Sequence, residues 1–127
     1  MGHPVKTVSI RIPASPEYLH VVRLVAAGLA ARLKFTLEDI EDLKIAVDEL
    51  SAYLTGSQGR DGTLEIDFAV TEDNIEISGE GRFTPGEQIR TDLTDFSRMI
   101  LETVADSATL EQADGRPAFR LSKTRAS

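Results

Sequence analysis

The stretch DIEDLKIAVDELSAYLTG, residues 39–56, decides how this chain is read. Ile40, Leu43, Val47, Leu50 and Leu54 recur at the three- and four-residue spacing of one helix face. That spacing predicts an amphipathic helix with a single buried stripe. Extended backwards to FTLEDIEDLKIAVDELSAYL, the helix opens on Thr36 with Asp39 behind it, a capping box in which Asp replaces the longer Glu. Lys44 and Asp48 stand one turn apart on the wetter side and predict a weak surface pair. Inside this pattern sits an acid, Glu49, with Tyr53 one turn further along the same side. A carboxylate so placed has two readings. It is a general base, taking a proton from water or a serine hydroxyl, or it is a partly exposed side chain beside the core, hydrogen-bonded to that tyrosine.

Upstream, VKTVSIRIP alternates as a strand over 5–12, with Val8, Ile10 and Ile12 on one face. ASPEYLHVVRLVAAGLAARL predicts a helix with Ser15 as N-cap and Pro16 at the first helical position, where a missing donor costs nothing. Its apolar stripe is Leu19, Val22, Val25 or Ala26, Leu29 and Leu33. Downstream, GSQGRDG over 56–62 stops the second helix and makes a flexible turn. TLEIDFAV and NIEISG alternate as two strands of a hairpin joined at TEDN. Residues 80–95 read as a long polar loop, with Pro85 and Gly86 supplying turn chemistry and Arg82, Phe83, Arg90 and Asp92 available for a protein contact or simply solvated. LTDFSRMILETVAD predicts a third helix with Leu93, Phe96, Ile100, Leu101 and Val104 inward. A closing hairpin follows, 108–111 and 118–121 about a turn at 113–116.

The order strand, helix, helix, strand, strand, helix, strand, strand, with alternating strands, predicts an α+β fold. It is a two-layer α/β sandwich with a mostly antiparallel mixed sheet and the helices on one face. The chain reads as one domain over 1–127, with residues 1–4 expected to be flexible. Acidic side chains outnumber basic ones, 21 to 14, leaving a formal charge of -7. Such a surface repels polyanions and argues against direct nucleic-acid binding. The absence of cysteine removes disulfides and thiolate metal sites, and the two histidines, His3 and His20, are too far apart in sequence to suggest a metal centre. No apolar run approaches the roughly 20 residues of a membrane span, so the expectation is a cytoplasmic protein without membrane contact.

IPASPEYLHVVRLVAAGLAARLKFTLEDIEDLKIAVDEL resembles the N-terminal half of the bacterial anti-sigma-factor serine kinases, which share the histidine-kinase-like ATPase (GHKL) fold. The resemblance runs in order from Val8 to the C-terminus and is strongest over 12–50. The AVDEL stretch looks like actinobacterial members that have lost nucleotide signatures. The resemblance implies a stress-response regulator of transcription that binds a sigma factor, is released by an anti-anti-sigma protein and forms a homodimer. Many such proteins phosphorylate the anti-anti-sigma protein on serine with ATP and Mg²⁺.

The family's nucleotide motifs carry over residue by residue. Glu49 matches the proposed catalytic base, while Tyr53 stands where the family has a Mg²⁺-binding Asn; a phenol is a poor substitute for a compact oxygen ligand. Gly81 matches the glycine of an Asp-x-Gly pattern, and Gly79 stands at the aspartate that reads adenine. Asp95 and Ser97 stand at the two glycines of a phosphate-approaching Gly-x-Gly. Gly115 retains the glycine of a Gly-Thr pair and Arg116 replaces its threonine. Arg23 matches an arginine used in partner contacts, flanked by Glu17, Tyr18 and His20; it also reads as a solvated helix arginine. The resulting expectation is an anti-sigma-type protein that sequesters a sigma factor by protein–protein binding, with a degenerate nucleotide site, no cofactor and no metal. The alternatives are an active ATP- and Mg-dependent serine-protein kinase acting on the anti-anti-sigma partner, and a non-enzymatic homo-oligomeric scaffold.

Overall fold

The structure, a computed structural model, describes residues 5–84 and 89–126. The expected flexible start and the Pro85–Gly86 turn lie outside the described residues. In chain order the elements are β1 (Lys6–Pro13), a 3-10 turn (Pro16–Tyr18), α1 (Leu19–Arg32), α2 (Leu37–Thr55), β2 (Gly62–Val70), β3 (Asn74–Phe83), α3 (Asp95–Val104), β4 (Ser107–Ala113) and β5 (Arg116–Thr124). The strands form one sheet in the order β1-β2-β3-β5-β4. All four pairings are antiparallel. The helices cover one face, giving the two-layer α+β sandwich that the alternation predicts, consistent with the histidine-kinase-like ATPase fold that the resemblance implies.

Register explains the layering. Ile10, Ile66, Gly79, Phe119 and Leu110 are successive cross-strand partners on one row, and Phe68, Ile77 and Leu121 lie on the next. Because strand side chains alternate, these rows point to the helices while Asp67, Ser78 and Arg120 on the intervening row point away. Leu43, Val47, Leu50 and Leu54 of α2 are fully buried against Leu64, Ile66, Phe68, Ile75, Ile77 and Leu121. Each such side chain contributes about 1.5–3 kcal/mol. The outer face is polar and laced with the pairs Arg82–Glu65, Arg116–Glu80 and Arg120–Glu76. On the side of the sheet away from the helices lies an open cleft of about 640 Å³ lined by Ser9, Arg11, Glu65, Asp67, Ser78 and Glu80 among others.

Several local expectations are corrected. Ser15 does not cap a helix: its hydroxyl donates to Glu17 at 3.3 Å, Pro16 opens a 3-10 turn, and α1 starts only at Leu19. The stripe of α1 is buried at Leu19, Val22, Ala26 and Ala30, with Val25, Leu29 and Leu33 packed at its margins. Thr36 does cap α2, accepting from the Asp39 amide at 3.1 Å, but the Asp39 carboxylate faces Lys123 and accepts from the Ala126 amide instead of closing the box. The 56–62 turn is pinned to Ala14 through Arg60 N–H to Ala14 O and Ala14 N–H to Gly62 O. Arg82 and Phe83 belong to β3, not to a loop. Phe96 is 65% exposed and Ser97 takes the inward position. On a helix Ser97, Leu101 and Val104 share one line, and Phe96 is rotated a hundred degrees away from it.

Candidate functional site

The site forms where the C-terminal half of α2 meets the start of α3. Glu49 and Tyr53 project side by side from α2 because they are one turn apart. Thr94 is the N-cap of α3 and its hydroxyl accepts from the Ser97 amide at 3.0 Å, so the first turn of α3 is locked by its own sequence. The locked turn points Ser97 at α2. Tyr53 OH donates to Ser97 Oγ at 2.8 Å, and Ser97 Oγ donates to Glu49 Oε2 at 3.2 Å. The Thr94 amide donates to Tyr53 OH at 3.0 Å, and the Thr94 hydroxyl lies 3.0 Å from Ser97 Oγ.

These bonds run in one direction: Thr94 N–H to Tyr53 O–H to Ser97 O–H to the Glu49 carboxylate. Every hydroxyl in the relay both donates and accepts, so each bond polarises the next. Burial would raise the Tyr53 phenol, but its hydrogen bonds with Ser97 and Thr94 together outweigh it and hold the phenol below its ordinary value, against an opposing push from Glu49. Chemically, the relay supplies one acceptor of Glu49 with a permanent internal donor. It also spends the Tyr53 oxygen on protein groups.

The structure thus brings together Glu49, Tyr53 and Ser97. Asp95 is exposed at the first position of α3. Gly79 and Gly81 face the helix layer from β3, and both lack space for a side chain. A Cβ on Gly79 would lie 2.4 Å from Phe119 Cε2 and 2.9 Å from Ile66 Cδ1; one on Gly81 would lie 2.4 Å from Phe83 Cε2. Gly115 sits apart from these, at the tip of the β4–β5 hairpin. Ala113 pairs with Arg116 across Asp114 and Gly115, both with positive φ (53° and 79°), the two-residue turn that favours glycine. Glu17 and Tyr18 are exposed in the 3-10 turn before α1, and His20 is exposed in its first turn. Arg23, on the side of α1 next to α2, lies 3.0 Å from Asp48 Oδ1 through its Nε. That overturns the expected Lys44–Asp48 pair, since Lys44 bonds Glu41 at 3.2 Å. Burial raises the Asp48 carboxyl above the ordinary carboxylate range; Arg23 and Lys44 pull it down and Glu49 pushes it up.

Sequence reasoning missed Thr94 and Phe119, and it paired Asp48 with Lys44 where the structure pairs it with Arg23. Thr94 was legible as a threonine three residues before Ser97 at a helix start, a capping signature. Nothing local in the sequence says that the ring of Phe119 lies over Gly79, which depends on the β3–β5 register. Among the described residues no group of three or more His, Cys, Asp or Glu could hold a metal ion, and no helix is long and apolar enough to cross a membrane.

Comparison with known proteins places this geometry in context. No protein-family model matches the chain. It is 40% identical over 82 residues to the serine-protein kinase RsbW of Bacillus pumilus, covering 61% of this chain and 51% of that protein. It is 34% identical over 95 residues to the serine-protein kinase RsbW of Bacillus subtilis, covering 71% of this chain and 59% of that protein. The chain is homologous to serine-protein kinase RsbW. It spans about half the length of the curated relatives it matches. These relatives are Bacillus proteins; the narrower likeness to actinobacterial members rests on the AVDEL stretch alone.

Proposed function

We propose that this RsbW homologue is an anti-sigma-type regulator that holds a sigma factor by protein–protein binding and has a nucleotide site closed to ATP and Mg²⁺. The observation that carries the reading is the relay through Tyr53. The position that would supply a metal-binding amide supplies a phenol whose oxygen is committed to Thr94 and Ser97. A second observation supports it: at Gly79, where a carboxylate would read adenine, even a Cβ would collide with Phe119. The residues present do not fit the Mg-nucleotide of the fold family.

Regulation then works by competition. The folded domain covers sigma surface needed by the polymerase, and an anti-anti-sigma protein frees the sigma factor by taking an overlapping surface. A difference of 1.4 kcal/mol between the two complexes shifts the preference about tenfold. The protein acts in the cytoplasm as a homodimer in a stress-response circuit, without contacting nucleic acid or membrane. The test is calorimetric titration of dialysed protein with ATP and Mg²⁺, followed by a search for copurifying sigma factor. No heat up to millimolar nucleotide, together with a captured sigma factor, is the expected result. Magnesium-dependent micromolar binding overturns it.

The relatives' name supports a second reading, an ATP-dependent serine-protein kinase acting on an anti-anti-sigma partner. In it Glu49 is the base that accepts the proton of the partner's serine hydroxyl. Ser97 occupies Oε2, and the other carboxylate oxygen is the one open to the partner's hydroxyl. Transfer of phosphate from radiolabelled ATP to a copurified partner, abolished in Glu49→Gln, decides for this reading.

A further inference from the structure

The sheet ends at β1 on one side and at β4 on the other. At the β4 edge the hairpin fixes which backbone groups are spare. Its two-residue turn makes Ala113 and Arg116 a hydrogen-bonded pair, so Glu111–Ala118 and Thr109–Arg120 are bonded pairs as well, and the pairs between them exchange no hydrogen bonds. Pro117, which has no N–H to give, falls on one of these unbonded pairs, opposite Gln112. The N–H and C=O of Ala108 and Leu110 therefore face the open edge, while their side chains face the helix layer and stay only partly buried. Above this edge α3 forms a ledge. It packs against α2 through Thr94 and Ser97, and against β4. With about 3.6 residues per turn, Ile100 and Val104 turn to the sheet, Arg98 and Glu102 to solvent, and Phe96 and Met99 to the flank opposite α2. Phe96 is 65% exposed and Met99 58%.

We propose that the β4 edge and the Phe96–Met99 flank of α3 form a docking groove for an extended, basic segment of a protein partner, which joins the sheet as an added strand. A helix flank beside an unpaired strand is a geometry that takes peptides in this way, main-chain bonds supplying affinity and alternate side chains specificity. The partner's backbone bonds Ala108 and Leu110. Its inward side chains lie against Phe96 and Met99, and its outward ones meet Glu111, which is exposed on the outer face of the edge. Charge selects the partner. Residues 92–114 carry six acids, Asp92, Asp95, Glu102, Asp106, Glu111 and Asp114, against one arginine, Arg98. A second copy of β4 in the groove would set acids against acids, which opposes pairing; a strand alternating apolar and basic residues meets the complementary field. The inference goes beyond sigma-factor sequestration, since it needs neither the nucleotide site nor a sigma factor.

The test adds the acetylated and amidated peptide KVKVKVK to the ¹⁵N-labelled full chain and reads hydrogen exchange at each amide. With peptide at about ten times its dissociation constant, exchange at Ala108 and Leu110 is expected to slow about tenfold, with β1 unaffected. Replacing both exposed anchors, Phe96→Ala with Met99→Ala, is expected to weaken binding about tenfold while the spectrum stays dispersed and folded. The acidic peptide EVEVEVE, and KVKVKVK with its valine nitrogens methylated, are expected to leave β4 unprotected. Absence of protection up to millimolar peptide overturns the inference, as do protection of β1 in place of β4, equal protection by either control peptide, or unchanged binding in the double variant. Protection of Ala108 and Leu110 that rises with protein concentration alone gives the groove to a second copy and overturns it too. No step uses ATP or a sigma factor. A failed sigma-factor capture with β4 protection intact therefore sinks the functional reading alone, and a captured sigma factor with β4 unprotected sinks this inference alone.

Discussion

The two ends of the seam between α2 and α3 are closed by different chemistry. At the end near Tyr53, one backbone amide, two hydroxyls and one carboxylate join the helices in a directional relay, Thr94 N–H to Tyr53 to Ser97 to Glu49. At the other end a cation is buried. Lys123 of β5, its side chain only 11% exposed, donates to Val104 O at the end of α3 and faces Asp42 and Asp39 in the first turns of α2. The tail continues the clasp, with Arg125 donating to Leu33 O and the Ala126 amide to Asp39. The difference separates two roles. A buried charge held by a backbone carbonyl and two carboxylates is costly to disturb. A chain of neutral hydroxyls at the half-exposed end can be rearranged one bond at a time, and it lies where the base candidate lies.

The sharpest way to break this comparison is Lys123→Met, which keeps the volume but leaves Asp39, Asp42 and the Val104 carbonyl without their cation. Removing one partner of a buried charge cluster costs about 3–5 kcal/mol. Urea unfolding is expected to show a loss of that order; a change under about 1 kcal/mol, as for a surface pair, would make the two ends equivalent. Next comes Thr94→Ala, which removes the cap of α3 and is expected to cost about 1–2 kcal/mol. Hydrogen exchange should quicken first at the Ser97 amide and leave Val104 protected.

Tyr53→Phe is expected to cost about 1 kcal/mol at neutral pH, since it leaves Ser97 and the Thr94 amide in a half-exposed place where water can replace the phenol. Its pH dependence has a definite sign. The folded phenol is held below its ordinary value of 10.0, so the stability from this shift is present above the unfolded pKa and is lost as pH falls through the folded one. The stability gap between wild type and Tyr53→Phe should therefore widen only as the solution becomes alkaline, and a difference titration of tyrosinate absorbance should place Tyr53 below pH 10.0. The smallest effect concerns Asp48. Its folded pKa is raised above 3.8, so the corresponding stability is present below that pH and is lost as pH rises through the folded value. Relative to Asp48→Asn, wild type should compare best in acid. A flat difference in thermal midpoint across this range would remove the burial argument for Asp48.

Much of this was legible locally. The stripe Leu43, Val47, Leu50 and Leu54 was read from spacing and is fully buried. The turn at 113–116, which holds Asp114 and Gly115 at positive φ, and the Thr36 cap follow from residue type. Where reading failed, a side chain had choices that only a distant element could settle. Asp39 was placed in a capping box and turned instead to Lys123, eighty-four positions away. Phe96 looked like core and Ser97 like a lost phosphate contact, because the phase of a short helix is set by what it packs against.

The sequence by itself determined the elements, their order, the single layer of helices and the juxtaposition of Glu49 and Tyr53, since all of these follow from periodicity and neighbouring residues. The tertiary structure decided that Ser97 would meet both of them, that Phe119 would fill the space over Gly79, and that Arg23 would face Asp48 and not solvent alone. Those contacts join residues twenty-five to forty-eight positions apart, and their geometry depends on strand register and helix packing, which no local pattern encodes.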